Sequence, residues 1–167
     1  NRIVQEIHNS GYQADVHAVG DRGVDWVIEA YARACGSVSV CRERRHRIEH
    51  FLFRKHDSIQ RAAEYGIPVC TQPAFIDLKA DSFQTEIGST ADGYMDTMVP
   101  IRSFENAGVH LSYGSDVPAF PSHDPLSSIC SAMERKTQTG RALDPSESVD
   151  FRTALRHHTI GGAYAAF

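Results

Sequence analysis

The sequence predicts an α/β fold built from four parallel strand-plus-helix units. Three segments share one pattern, in which a helical stretch ends at a glycine and a short apolar run then ends in a polar group: NSGYQADVHAVGD, EYGIPVCTQPA and NAGVHLSYGSD. Gly11, Gly66 and Gly108 stand where a helix ends in a left-handed residue, a conformation that glycine adopts without steric cost. Because a helix separates each strand from the next, the strands are expected to run parallel through right-handed crossovers.

A fourth unit lies between the first two copies of this pattern. Its helix is predicted over Asp21 to Cys35, and its apolar residues recur at the i, i+3, i+4, i+7 spacing of one helix face: Val24, Val27, Ile28 and Tyr31. The helix is expected to end at Gly36, and a polar connector then leads to the strand HRIEH. The four units fit either a small doubly wound sheet or half of an eight-stranded barrel.

The remaining helices follow the later strands. They are predicted near Lys55 to Tyr65, Val99 to Ala107, Pro125 to Arg135 and Asp150 to the end of the chain. The polar stretch from Asp77 to Asp96 shows no clear period and follows a strand end, where functional loops are inserted in proteins of this class. We therefore predict that it is a lid or a disordered insertion.

The composition describes one ordinary soluble domain over residues 1–167. The chain has a mass of 18.5 kDa, is 41% hydrophobic and 23% charged, and carries a net charge of −4 with no run of Lys and Arg, which argues against nucleic-acid and anionic-membrane partners. No apolar stretch approaches the roughly 20 residues of a membrane helix. Its four cysteines form no CxxC pair, so we expect reduced thiols and a cytoplasmic location.

Polar side chains close all four predicted strands: His17, His50, Gln72 and Asp116. The carboxyl ends of parallel strands lie on one face, so these groups are expected to meet there. Two imidazoles and a carboxylate suit Zn²⁺, Fe²⁺, Mn²⁺ or Ni²⁺. A structural interpretation stays open, because the chain has nine histidines and because an aspartate before Val117-Pro118 is also typical of a turn. Other histidines, among them His8, His46, His157 and His158, are expected at the surface or as capping groups.

Five motifs in order resemble the carboxyl-terminal half of amidohydrolase family 3, the YtcJ-like metal-dependent hydrolases. They are HAVGDRGVD, RHRIEH, CTQPAF, AGVHLSYGSDVPAFPSHDPL and SAMERKTQTG. The resemblance implies the second half of a (β/α)8 TIM-type barrel, with strands 5 to 8 closed by the four groups named above. It also implies that His17 and His50 are metal ligands and that Asp116 is both a ligand and the catalytic acid–base group.

The implied reaction is hydrolysis of a non-peptide C–N bond in a small-molecule amide, with zinc as the most favoured metal and iron or manganese as alternatives. Gln72 and Arg135 match family positions too, and the resemblance gives them a role beside the substrate or behind the ligands.

The sequence departs from the family pattern at both ends. It has no His-x-His pair, no group for the fourth strand of such a barrel, and no segment for the small β-sandwich that the family adds after the barrel. We therefore expect a truncated enzyme that leaves two strand edges and one apolar sheet face uncovered. Such a chain is expected to form a homo-oligomer or to pair with the missing barrel half. The alternative is a non-catalytic βα domain that associates with itself or a partner through its exposed sheet edges.

Overall fold

The computed structural model describes residues 2–88, 93–120 and 123–167. Four strands form one parallel sheet in the order β1-β2-β3-β4: β1 is Asp15–Ala18, β2 is Arg47–His50, β3 is Val69–Thr71 and β4 is Leu111–Tyr113. Neighbours in space are neighbours in sequence, as expected when each crossover carries a helix. The predicted α/β class and its four parallel strands are confirmed.

Nine α-helices accompany the sheet in the described part of the chain. They are α1 (Arg2–Asn9), α2 (Asp21–Cys35), α3 (Val38–Arg44), α4 (His56–Tyr65), α5 (Ala74–Ile87), α6 (Ile101–Ala107), α7 (Pro125–Glu134), α8 (Phe151–Arg156) and α9 (Gly162–Ala165). A π-helical turn, His157–Gly161, joins α8 to α9, and short 3-10 turns span Met95–Thr97 and Pro145–Glu147.

The glycines that end the helices lie where the sequence predicts them. Gly36, Gly66 and Gly108 follow α2, α4 and α6 with φ of 69°, 64° and 78°, the left-handed conformation that closes a helix. At Gly66 a side chain is also excluded by space, because an added Cβ would lie 2.5 Å from Cγ of Arg42.

Two segments for which the sequence predicts no helix are helical, so the expectation of a disordered insertion is wrong for the part that lies in α5. Most of the stretch predicted as a lid or insertion is α5, and part of the polar connector after Gly36 is α3. The apolar residues of α5 do follow a helical spacing: Ile76, Ala80, Phe83 and Ile87 all belong to or pack against the core. The interleaved Asp77, Lys79 and Asp81 conceal that spacing in the sequence. Residues 89–92 of the predicted insertion lie outside the described part of the chain.

The two faces of the sheet differ in chemistry. Ile48 and Val69 are fully buried on the face covered by helices. Residues at alternating positions form ion pairs on the opposite face, where Nη2 of Arg47 lies 2.5 Å from Asp15 and its Nε lies 2.7 Å from Glu49. The expectation of an uncovered apolar face is therefore wrong: in the described structure that face is polar and ion-paired.

The two edges of the sheet also differ. In the described residues β1 pairs with β2 alone, so its other edge is free. The outer edge of β4 is partly covered, because Nδ1 of His157 donates to the carbonyl oxygen of Leu111 at 3.1 Å. His157 is buried, which corrects its expected place at the surface. No described helix combines the length and apolar character needed to cross a membrane.

Candidate active site

His17 and His50 meet at the carboxyl ends of β1 and β2. The strand register pairs Ala18 with His50, so His17 lies one position before the residue opposite His50. Their ring centroids are 4.4 Å apart with the planes at 75°. His17 is exposed, whereas His50 is only 5% exposed. The sequence prediction that these two imidazoles come together is therefore met by the geometry.

Gln72, just beyond β3, contacts the same histidine. Its Oε1 lies 2.7 Å from Nδ1 of His50, and its Nε2 donates to the carbonyl oxygen of Cys70 at 3.2 Å. Both partners are buried, Gln72 at 2% exposure. Burial matters here because water does not compete for a hydrogen bond between two enclosed groups, so the bond holds the ring in one orientation. Gln72 thus lies behind a predicted ligand.

The backbone is strained at the predicted site residues. His50 has φ of 78° and Asp116 has φ of 56°, a region that few residues other than glycine occupy. Each such residue costs on the order of 1 kcal/mol or more and persists only where the surrounding structure enforces it. Eight described non-glycine residues adopt this conformation, helix-ending Arg45 and Arg135 among them, so it marks His50 and Asp116 as constrained but does not by itself identify the site.

Asp116 stands apart from the histidine pair. It lies three residues beyond β4 and is half-buried, and the ligand atoms of His17, His50 and Asp116 do not all come within 4.8 Å of one another. The strand order explains this, because β3 lies between β2 and β4 and two strand spacings amount to roughly 10 Å. The structure therefore brings together the two histidines and Gln72, and places the carboxylate further along the same edge.

Arg135 occupies a structural position rather than a substrate-facing one. Its side chain has no exposure, and its guanidinium donates to four main-chain carbonyl oxygens, those of Met98, Val99, Leu143 and Asp144, at 2.7 to 3.0 Å. Every nitrogen of the fork is thereby used within the protein. This contradicts the expectation that Arg135 contacts a substrate, since a fully enclosed guanidinium presents no surface to one.

Another histidine cluster, formed by His8 and His46, lies at the opposite end of the sheet. His8 and His46 are buried rather than exposed, and their ring nitrogens, Nδ1 and Nε2 respectively, are 2.9 Å apart. Within the described residues, His8, Cys35 and His46 are the one group of three whose metal-ligating atoms all lie within 4.8 Å of one another. Sequence reasoning missed it because its members are up to 38 residues apart and share no strand-end pattern.

In the cluster of His8 and His46, both ring nitrogens of His46 are engaged in hydrogen bonds. The backbone N–H of Ala14 donates to Nδ1 of His46 at 2.9 Å, so the proton of the neutral ring is on Nε2, which donates to His8. Burial, the neighbouring His8 and the charge of Arg44 lower the pKa of His46 to about 4. A neutral imidazole with both nitrogens in use does not bind a cation, so this cluster supports the fold.

The pair of His17 and His50 differs from the His8–His46 cluster because it keeps ring nitrogens that no described hydrogen bond engages. In the described structure no hydrogen bond engages either nitrogen of His17, and only Nδ1 of His50 is bonded. Two adjacent imidazoles with free nitrogens, at the face where parallel strands end, fit a borderline divalent cation such as Zn²⁺. The fold and this site together define a βα protein with a candidate metal centre at its strand ends.

Comparison with known sequences gives the family. The profile of the amidohydrolase family matches residues 1–167. The chain belongs to this family, as the motif resemblance implies. It is 33% identical over 162 residues to protein LONG AFTER FAR-RED 3 of Arabidopsis thaliana, covering 95% of this chain and 27% of that protein. It is 29% identical over 159 residues to the N-substituted formamide deformylase of Arthrobacter pascens, covering 93% of this chain and 28% of the relative.

A third relative and two solved structures complete the comparison. Putative amidohydrolase YtcJ of Bacillus subtilis (strain 168) is 28% identical over 165 residues, which cover 97% of this chain and 30% of that protein. Uncharacterized metal-dependent hydrolases from Pyrococcus horikoshii OT3 and Pyrococcus furiosus give TM-scores of 0.80 and 0.76 at 21% and 25% identity. They cover 99% and 97% of this chain but 32% and 31% of theirs. The chain thus spans less than a third of the length of these relatives.

Proposed function

We propose that this chain supplies the histidine ligands of a divalent metal centre in a hydrolase that cleaves a non-peptide C–N bond of a small-molecule amide. One observation carries the proposal: the rings of His17 and His50 lie in contact at the ends of adjacent parallel strands, with nitrogens that the fold leaves unused. The family and the names of two relatives, a formamide deformylase and a putative amidohydrolase, support the reaction class.

The roles of the three residues follow from their chemistry. His17 and His50 would hold the cation through neutral imidazole nitrogens. Asp116 lies three residues beyond β4 and apart from the pair, so it would add a carboxylate oxygen only after moving toward the two rings. A divalent ion bound there supplies positive charge that lowers the pKa of a water molecule and polarises a carbonyl group. We favour zinc, and because this donor set contains no thiolate that would demand zinc alone, iron and manganese are the alternatives.

Proton transfer is assigned to Asp116. Its carboxylate is half-buried and, within the described residues, forms no hydrogen bond or ion pair, so its oxygens are free to accept the proton of an attacking water. The same oxygen then returns the proton to the leaving nitrogen as the C–N bond breaks. Arg135 takes no part in this step because its guanidinium is fully buried and each of its nitrogens donates to main-chain oxygens.

The free edge of β1 supports a second proposal, on partners. An unpaired parallel edge presents main-chain N–H and C=O groups that another strand would satisfy. We propose that either a second copy of the chain or further strands of a longer amidohydrolase pair with this edge. The non-catalytic alternative uses the same edge, and metal binding separates the two proposals.

The test is a titration of the purified 167-residue chain with Zn²⁺, followed by native mass spectrometry to report bound metal and oligomeric state together. We expect bound zinc that is lost in His17→Ala and in His50→Ala. The matched control is His56→Ala, since His56 is an exposed histidine at the start of α4 and no described contact joins it to His17 or His50. Zinc binding that survives both site variants, or that is lost equally in the control, contradicts the proposal.

A further inference from the structure

The amide of Gln72 is aimed at the inner nitrogen of His50. We propose that Gln72 is a positioning residue: by accepting a hydrogen bond from Nδ1 of His50, it fixes the tautomer and ring orientation that leave the Nε2 lone pair free for a metal ion. The metal part of this inference rests on the proposed function, whereas the tautomer part does not. It goes beyond the family assignment, which gives Gln72 no defined task.

The direction of the hydrogen bond follows from the second contact of Gln72. Its amide nitrogen donates to the carbonyl oxygen of Cys70 at 3.2 Å, and a carbonyl oxygen is only an acceptor. Turning the amide over would place Oε1 against that carbonyl, two acceptors in contact. The oxygen of Gln72 therefore faces His50, and because this oxygen is also only an acceptor, Nδ1 of His50 must carry the proton.

The surroundings of His50 leave no competing partner in the described structure. Aromatic rings pack beside it, that of His17 at 4.4 Å and that of Phe75 at 5.6 Å between centroids, and neither supplies a hydrogen bond to its Nε2. With exposures of 5% and 2%, His50 and Gln72 are closed to solvent, so water does not replace the amide. A neutral imidazole protonated on Nδ1 has its lone pair on Nε2.

Gly114 follows β4, and because it has no side chain the Gln72 amide fits beside it. A Cβ at this position would lie 3.4 Å from Nε2 of Gln72 and 3.2 Å from Sγ of Cys70. The amide is thus held on three sides, by a hydrogen bond to the ring, a hydrogen bond to the backbone and close packing against the next strand. Such enclosure leaves the amide few alternative rotamers, as the support of a ligand requires.

The tautomer is measured directly by long-range ¹H–¹⁵N correlation spectra of ¹⁵N-histidine-labelled, metal-free chain at about pH 8, where ordinary histidines are neutral. The signals of His50 are assigned by their loss in His50→Ala. We expect a protonated Nδ1 and a bare Nε2 in the native chain, and a mixture of tautomers in Gln72→Leu. A protonated Nε2 in the native chain overturns the inference without any variant.

His46 provides an internal control for folding in the same spectra. Its Nδ1 accepts from Ala14, so it shows the opposite tautomer, and this signal must persist in Gln72→Leu if the variant is folded. Gln60→Leu, the same substitution at an exposed position of α4, should leave His50 unchanged. If Gln72→Leu loses the His46 signal as well, the tautomer of His50 in the native spectrum decides the question.

Zinc titration of the same variants separates this inference from the proposed function. We expect Gln72→Leu to weaken binding by about 10- to 100-fold, the usual effect of removing a group that orients a metal-bound histidine. Unchanged zinc affinity in a folded Gln72→Leu chain contradicts the positioning role. If the native chain binds no zinc but shows the expected tautomer, the proposed metal centre fails while the assignment of Gln72 as the partner that fixes the His50 tautomer stands.

Discussion

Two pairs of histidines lie at opposite ends of the same sheet and differ in how many of their ring nitrogens are engaged in hydrogen bonds. His8 and His46 precede the strands, are buried, and are 2.9 Å apart between ring nitrogens. His17 and His50 close β1 and β2, with ring centroids 4.4 Å apart. Judged by the spacing of ligand atoms alone, the first pair, which has Cys35 beside it, is the better metal site.

The difference lies in the lone pairs rather than in the distances. In the first pair a backbone N–H uses one nitrogen of His46 and His8 uses the other, and the charge of Arg44 nearby further disfavours a cation. In the second pair Gln72 uses one nitrogen of His50, and the remaining lone pairs are free. Clustered histidines therefore indicate a metal site only when each ring keeps a nitrogen that the protein does not need.

The largest expected effect is on stability, from His46→Ala. The substitution leaves a cavity and removes the acceptor of the Ala14 N–H, which is itself buried. We expect the free energy of unfolding to fall by about 4 kcal/mol. Urea denaturation followed by circular dichroism measures it.

The matched variant at the other end of the sheet is His17→Ala. This side chain is exposed and holds no hydrogen bond in the described structure, so its loss should change the free energy of unfolding by less than about 1 kcal/mol. Equal losses of stability in the two variants would remove the distinction between a structural pair and an open one.

Acid should destabilise the protein through the first pair. His46 has a pKa of about 4 in the fold against an ordinary value of 6.5, so the unfolded chain binds its proton first as the pH falls. The stabilisation is fully present above pH 6.5 and is lost as the pH falls toward 4, by about 3 kcal/mol. Burial also lowers the pKa values of His157 and His158, which add to the loss in the same direction.

The control for this pH dependence is the same denaturation series in His46→Ala. Between about pH 7 and about pH 4 the variant should lose less stability than the native chain, because the group that titrates in this range is gone while the other buried histidines remain. Parallel curves for the two proteins would show that His46 is not the source of the acid sensitivity.

Local signals carried the sequence prediction, and long-range contacts limited it. Gly66 and Gly108 end helices through their own backbone freedom, so the strands that follow them were predictable. The burial of His46 was not, because its acceptor role depends on Ala14, 32 residues earlier in the chain. Arg135 was misjudged for the same reason: the carbonyl oxygens of Met98 and Val99 that enclose its guanidinium lie 37 and 36 residues away.

Zinc should stabilise the protein through the second pair and not the first. With free zinc at 100 times its dissociation constant, we expect a gain of about 2.7 kcal/mol in the free energy of unfolding. His17→Ala should abolish the gain. His8→Ala should keep it even though that chain starts from a lower stability, and the measurement is thermal denaturation with and without the metal. A gain lost in His8→Ala and kept in His17→Ala would reverse the assignment of the two pairs.

The smallest expected effect tests how closely the second pair is supported. Gly114→Ala adds a methyl group 3.4 Å from the amide nitrogen of Gln72 and 3.2 Å from Sγ of Cys70, closer than most side chains tolerate. Because these neighbours must shift by only a few tenths of an ångström, we expect a loss of about 1 kcal/mol in the free energy of unfolding and a weaker bond between Gln72 and His50.

The matched substitution for this last test is Gly162→Ala in α9, where an added methyl group meets nothing within 4 Å. It should be neutral or slightly stabilising, since alanine loses less backbone freedom than glycine on folding. If Gly114→Ala leaves both the stability and the His50 tautomer at their native values, the Gln72 amide has room to move. The orientation of His50 would then depend on its hydrogen bond alone and not on the packing of β4 against it.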